Sequence, residues 1–303
     1  MRRAGTALAI RLRRAASELG PGLVTGAADD DPSGISTYAT AGAAFGFRTL
    51  WTLPFSFPLV ASVQVMCARL ALITGRGLTG VLREHYPRWT LWTTCALLLV
   101  ANTVTIAADL GGMGSAFELV TGIRSVWFHC AAAVLIVGLL AWTSYRTMAR
   151  VFKWLTPTLL AYVGAAWLSH PAWGAVLRAT IVPSLSWERG YLTTLVAIFG
   201  TTISPYLFVW QASQEVEETR SHTRGAASVR GGSRAANLAA SRRDVLAGMF
   251  FSNSIAFFIM LTTGPTLFPE GAREVSSAAS AAAALRPLAG DAASRLRFCS
   301  RRV

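Results

Sequence analysis

The sequence predicts an all-α polytopic membrane protein, and three observations carry the prediction. Hydrophobic residues fill 53% of the 303 positions and charged residues only 14%, where an ordinary soluble domain carries about 25% charged; mean hydropathy is +0.45. Apolar stretches of bilayer-spanning length recur at about 20–45, 50–73, 89–112, 125–142, 154–168, 191–212 and 245–267. The arginines cluster between those stretches and alternate in density from loop to loop. The net charge of +13 therefore reads as membrane topology. A nucleic-acid partner is not expected, because no single basic face collects the charge.

Taken in order, residues 1–19 form a basic leader with Arg2, Arg3, Arg11, Arg13 and Arg14. Arg11 interrupts a short apolar run and no small-residue cleavage site follows, so the leader is not read as a signal peptide. Arg76, Arg83 and Arg88 separate the second and third spans, and Arg146, Arg150 and Lys153 follow the fourth. Arg220, Arg224, Arg230, Arg234, Arg242 and Arg243 lie between the sixth and seventh. The alternate loops hold only Arg48; Arg124; Arg178 and Arg189; and Arg273. By the positive-inside rule the amino terminus is cytoplasmic. Cys67, Cys95, Cys130 and Cys299 have no paired spacing and read as small packing residues. His85, His129, His170 and His222 are scattered beyond metal-ligand spacing.

The first span contains Asp29, Asp30 and Asp31, followed by Pro32, Ser33 and Gly34. One ionised carboxylate in mid-membrane costs roughly 2.5–3.5 kcal/mol, so three in a row require a polar cavity, a cation or protonation. Pro32 donates no N–H and is expected to free the carbonyl of Ala28. Backbone freed at that depth is tolerated only inside protein or along a wet cavity. The sixth span holds a second break: Pro205, between Ser204 and Tyr206, should release the carbonyl of Thr201. Two broken helices five positions apart are what a five-span inverted repeat places face to face around an ion site. Asp109 is an isolated acid in the third span, a functional candidate whose structural alternative is pairing with an arginine.

The stretches GPGLVTGAADDDPSGISTYATAGAAFG and FGTTISPYLFVWQASQEVEE resemble the Nramp superfamily of divalent-metal transporters, and most closely its bacterial Nramp-related branch implicated in magnesium transport. The similarity runs from about Pro21 to about Gly290. It implies a LeuT-type fold of two inverted five-helix repeats, with the ion between broken helices one and six. Where the main pattern carries DPGN this chain has DPSG, so Asp31 matches the metal-binding aspartate and Gly34 replaces an amide ligand. Where the pattern carries MPH this chain has Ser204, Pro205 and Tyr206, so thioether and imidazole are both absent. The remaining set is all oxygen, which suits hard cations: Asp31, the carbonyls of Ala28 and Thr201, and Ser204, with Mg²⁺ or Mn²⁺ as cargo. Asp29 and Asp30 point in other directions from Asp31 on any regular helix, so at most one of them is expected to help hold the ion directly; the alternatives are a second-shell or pathway place, solvation in the cavity or partial protonation. Asn102 and Gly112 stand where the family carries further acids in helix three, so proton coupling is not expected.

Glu215, Glu217 and Glu218 read as a charged helix end in water, followed by a flexible loop over 219–234. Beyond the seventh span, 274–290 reads as an Ala-rich external helix and 291–303 as an aberrant basic tail, so only the first repeat and the start of the second are expected within a transporter domain of 20–290. Two alternatives accompany the transporter reading. One is an inactive truncated fragment; the other is an intramembrane enzyme, which lacks a second acid motif and any nucleophile–base constellation. No resident cofactor is indicated. The partners are the lipid bilayer and divalent metal ions, and the sequence does not indicate an oligomeric state.

Overall fold

The computed structural model describes residues 21–143, 147, 151, 156–224 and 234–268. Among them the chain forms helices and short 3₁₀ turns only. The first span is two helices, α1 (Pro21–Asp29) and α2 (Pro32–Phe45). Then come α3 (Thr52–Thr74), α4 (Leu78–His85), α5 (Arg88–Thr121), α6 (Ser125–Trp142), α7 (Leu160–Leu168) and α8 (Trp173–Ile181). The sixth span is α9 (Arg189–Thr202) and α10 (Pro205–Arg224), and the seventh is α11 (Arg234–Leu267). The two predicted breaks are present.

Proline alone does not make a break. Pro58 lies inside α3 and Pro265 inside α11, and both helices run through. What distinguishes Pro32 and Pro205 is the residue before each. Proline drives its predecessor out of helical geometry, and Asp31 (φ −75°, ψ 167°) adopts that extended form and caps α2 with its carboxylate. Ser204 turns its hydroxyl back to Thr201 O at the end of α9, whereas the side chains of Phe57 and Gly264 offer no oxygen.

Among the described residues five stretches are long and apolar enough to cross a membrane: Thr52–Thr74, Arg88–Glu118, Ser125–Trp142, Arg189–Thr219 and Asn237–Leu267. The other two predicted spans are shorter as helices. The first is divided at Asp30 and Asp31, and the fifth is described only from Thr156. Two helices exceed their predicted ends. α5 passes Gly112 to reach Thr121, and α11 begins at Arg234, because the alanine and arginine of its first turns favour helix. Of the predicted loop over 219–234, the part up to Arg224 belongs to α10, and residues 225–233 lie outside the described residues. The basic leader, the external helix and the basic tail fall outside the described residues.

The helices form two compact units, whose boundaries fall at Ala27/Ala28, Pro58/Leu59, Leu98/Leu99, Ser204/Pro205 and Phe251/Ser252. One of these boundaries, Ser204/Pro205, coincides with a break. In the unit containing α1 as far as Ala27, α10 and the first half of α11, small residues let backbones meet. Gly22 N donates to Asp244 Oδ2 at 2.7 Å, and Gly26 lies against the backbone of Gly248. A buried polar chain joins the same elements: Thr25 Oγ1 and Gln64 Nε2 donate to Gln211 Oε1, while Gln211 Nε2 (3.2 Å) and Ser241 Oγ (2.7 Å) donate to Glu215 Oε1. Glu215 is only 2% exposed. Glu215 is therefore buried, not solvated, with its charge met by an amide and a hydroxyl, and neither it nor the exposed Glu217 ends the helix, which runs on to Arg224.

In the other unit, α2 packs on α9 and on the second half of α11. Tyr38, Ile198, Ile255, Ile259 and Leu261 are fully buried there. Along α6, by contrast, Trp127, Val134 and Trp142 are 73%, 75% and 88% exposed, an apolar surface that suits lipid. A β-carbon on Gly42 would meet Thr263 Oγ1 and lie 2.7 Å from Met260 O, both on α11. Gly42→Val is expected to force α2 off α11 at an overpacking cost of about 1–3 kcal/mol. Thermal unfolding of the purified protein in detergent checks this, and a melting temperature equal to wild type would show that the approach is not tight.

Candidate metal centre

The site is built at the amino end of α2. Helix α1 stops at Asp29, and the carbonyl of Ala28, half-buried in its last turn, has no N–H to accept four residues on because that residue is Pro32. The first amides of α2 are likewise without helical partners. Two carboxylates take them up. Asp31 Oδ1 accepts from Gly34 N at 2.7 Å and from Ser33 Oγ at 2.8 Å, and Asp109 Oδ1, on α5, accepts from Ser33 N at 3.0 Å. Asp109 thus meets backbone and not an arginine. The helix dipole favours negative charge at this end, and consecutive amides hold both acids in one place.

Gly34 provides the space. A β-carbon there would stand 3.2 Å from Asp29 O, 3.2 Å from Asp31 Oδ1 and 3.3 Å from Thr201 Oγ1. Three oxygens from the two broken spans therefore converge over a residue with no side chain, and none is sulfur or nitrogen. Of the residues chosen from sequence, Asp31, Gly34, Thr201 and Asp109 meet here. Ser204 is 2% exposed and its hydroxyl donates to Thr201 O at 2.6 Å. The Thr201 carbonyl, expected to be released for a ligand, already accepts a hydrogen bond from another expected ligand. Tyr206 begins α10, half-buried, in the other compact unit.

For Asp29 and Asp30 the structure argues against solvation alone. They are 3% and 6% exposed and face Ser252 of α11, not a solvated cavity. Among the described residues no lysine, arginine or histidine is bonded to Asp29, Asp30 or Asp109. Nor does any group of three or more His, Cys, Asp or Glu among those residues form a metal cluster by side chains alone. Sequence reasoning missed three participants: the Thr201 side chain, Ser33, and Ser252. The first two lay beside residues already chosen. Ser252 gave no signal, being an ordinary serine 223 positions from Asp29. Nearby, Tyr38 OH and Thr202 Oγ1 are 3.0 Å apart, and since Thr202 gives its proton to Ile198 O, Tyr38 is the donor.

A family model described as natural resistance-associated macrophage protein-like matches residues 22–299. Two curated relatives described as divalent metal cation transporter MntH, from two strains of Klebsiella pneumoniae, are 26% identical over 285 residues, covering 92% of this chain and 65% of each relative. The chain thus spans about 65% of the length of these relatives. Among solved structures, a mutant Eremococcus coleocola manganese transporter superposes with a TM-score of 0.68 at 19% identity, covering 93% of this chain and 64% of that one. The same transporter with an aromatic bis-isothiourea substituted compound gives 0.67 at 19% identity, over 89% and 61%. At that identity the likeness is one of fold. Substituting the cradle glycine is the direct test of its geometry: Gly34→Ala places a methyl among three oxygens, and Mn²⁺ affinity by calorimetry is expected to fall at least about tenfold, or 1.4 kcal/mol. Unchanged affinity would mean that the oxygens over Gly34 are not where a cation binds.

Proposed function

The chain belongs to the Nramp family of integral membrane proteins, and we propose that it carries a hard divalent cation, Mn²⁺ or Mg²⁺, through the oxygen-lined break of its first and sixth spans. The observation that carries this is the convergence of Asp29 O, Asp31 Oδ1 and Thr201 Oγ1 over Gly34. Asp31 supplies the charge and is held by Ser33 Oγ and Gly34 N, so it is oriented before a cation arrives. The Asp29 carbonyl and Thr201 hydroxyl supply neutral oxygen, with Ala28 O and Ser204 at the margins. Asp109 adds negative potential from the other side of the same helix end. Few protein ligands and no soft donor suit a cation that keeps part of its water.

The absence of a thioether and an imidazole at Ser204 and Tyr206 separates this set from one selecting soft transition metals. Passive entry is the simplest energetics: the membrane potential supplies about 2.3 kcal/mol per charge per 100 mV, roughly twice that for a divalent ion. The positive-inside pattern and the bacterial relatives support a bacterial inner-membrane location with the amino end cytoplasmic. The relatives are described as transporters, so the intramembrane-enzyme reading falls away.

Two substitutions test the assignment. Asp31→Ala is expected to abolish Mn²⁺ and Mg²⁺ binding at this site and saturable uptake into proteoliposomes, whereas retained affinity at the Gly34 cradle would remove Asp31 from it. Ser204→Met is expected to raise Cd²⁺ affinity relative to Mg²⁺ by adding a soft ligand beside Thr201. Competition between the two ions measures the shift, and a wild-type protein already selective for Cd²⁺ would contradict the oxygen-only reading.

A further inference from the structure

Asp29 and Asp30 present a second arrangement that the Gly34 cradle does not use. Their side chains are turned to α11, where Ser252 Oγ lies 2.7 Å from Asp29 Oδ2 and 3.5 Å from Asp30 Oδ1. A serine hydroxyl has one proton, and it is shared between two carboxylates. The remaining oxygens, Asp29 Oδ1 and Asp30 Oδ2, are buried with no hydrogen-bond partner among the described residues. No basic side chain there is bonded to either acid. Two adjacent carboxylates in the interior, with one neutral donor between them and two orphaned oxygens, lack the compensation that buried charge requires.

We propose that Asp29, Asp30 and Ser252 hold a second hard divalent cation, beside the Gly34 cradle and separate from it. One divalent ion balances the two carboxylates, whereas a monovalent ion would leave a buried negative charge. The ligands are two carboxylates and a hydroxyl oxygen, the donor set of hard cations. Asp29 links the two sites without sharing a side chain: its carbonyl faces Gly34 and its carboxylate faces Ser252. The two cations would face four carboxylates in this unit, Asp29, Asp30, Asp31 and Asp109. The second site rests on the burial and orphaned oxygens of Asp29 and Asp30 and not on the reading of Asp31 as a transport ligand.

The test is the number of Mn²⁺ ions bound per full-length chain in detergent, from equilibrium dialysis with the free ion read by electron paramagnetic resonance. Wild type is expected to bind two, with the bound signal broadened by the neighbouring spin. Asp29→Asn/Asp30→Asn is expected to bind one, and Asp31→Ala also one. Ser252→Ala keeps both charges, guards against a misfolded double variant, and is expected to weaken the second equivalent several-fold. One ion in wild type that persists in the Asn pair would overturn the second site and leave Asp31 in place. One ion lost in the Asn pair but kept in Asp31→Ala would support it and remove Asp31 instead. No bound ion in wild type would overturn both.

Discussion

The amides of Ser33 and Gly34 organise the interior of the unit that contains them. A helix interrupted at membrane depth exposes donors that lipid cannot satisfy, and here two carboxylates from different helices satisfy them: Asp31 locally and Asp109 from 76 residues away. That pairing fixes where α2 starts, and with it where Gly34 stands. It also gathers negative charge at a positive helix end, where the dipole offsets part of its cost. The oxygens over Gly34 follow from this cap, because Asp31 can face both the amide and the open space only while it remains extended before Pro32.

The breaks were legible in the sequence, and their partners were not. Pro32 follows Asp31, which caps α2, and Pro205 follows Ser204, whose hydroxyl bonds back to Thr201 O of the preceding helix. The chain's other helix-interior prolines, Pro58 and Pro265, show that the proline signal alone would have over-predicted. That no thioether or imidazole stands at Ser204, Tyr206 or Gly34 is read directly from residue identity. What local sequence could not supply was tertiary: Asp109 against Ser33, Ser252 against Asp29, and the Thr201 side chain in place of its carbonyl. Glu215 illustrates the same limit. Beside Glu217 and Glu218 it reads as a solvated helix end, yet Ser241, 26 positions on, and Gln211, one turn before, bury it.

The two units solve the burial of polar groups differently. Around Gln211 the chain uses amides and hydroxyls that pass hydrogen bonds to one another, Thr25 and Gln64 to Gln211 and Gln211 to Glu215. Two donors, an amide and a hydroxyl, serve the one buried carboxylate there, although Gln64 Oε1 is buried without a partner among the described residues. Around Asp29 and Asp30 the donors run out: a single hydroxyl serves two acids. The difference is one of supply: two donors meet the single acid Glu215, whereas one hydroxyl serves both Asp29 and Asp30.

The row of three aspartates becomes intelligible only because the helix stops inside it. On a continuous helix each successive side chain turns by about 100°, and three adjacent carboxylates would fan out with no common destination. Here Asp29 is the last residue of α1, Asp30 lies in the break and Asp31 is the cap of α2. The change of backbone geometry across these three positions turns Asp29 and Asp30 towards one serine and sends Asp31 to the amides of the next helix. Divergence of Asp31 from its neighbours was expected from helical periodicity. Convergence of Asp29 and Asp30 was not, and it arises because Asp30 no longer obeys that periodicity. A regular helix could not have brought these carboxylates to two separate sets of oxygens, which is the physical reason for placing the acids at the break.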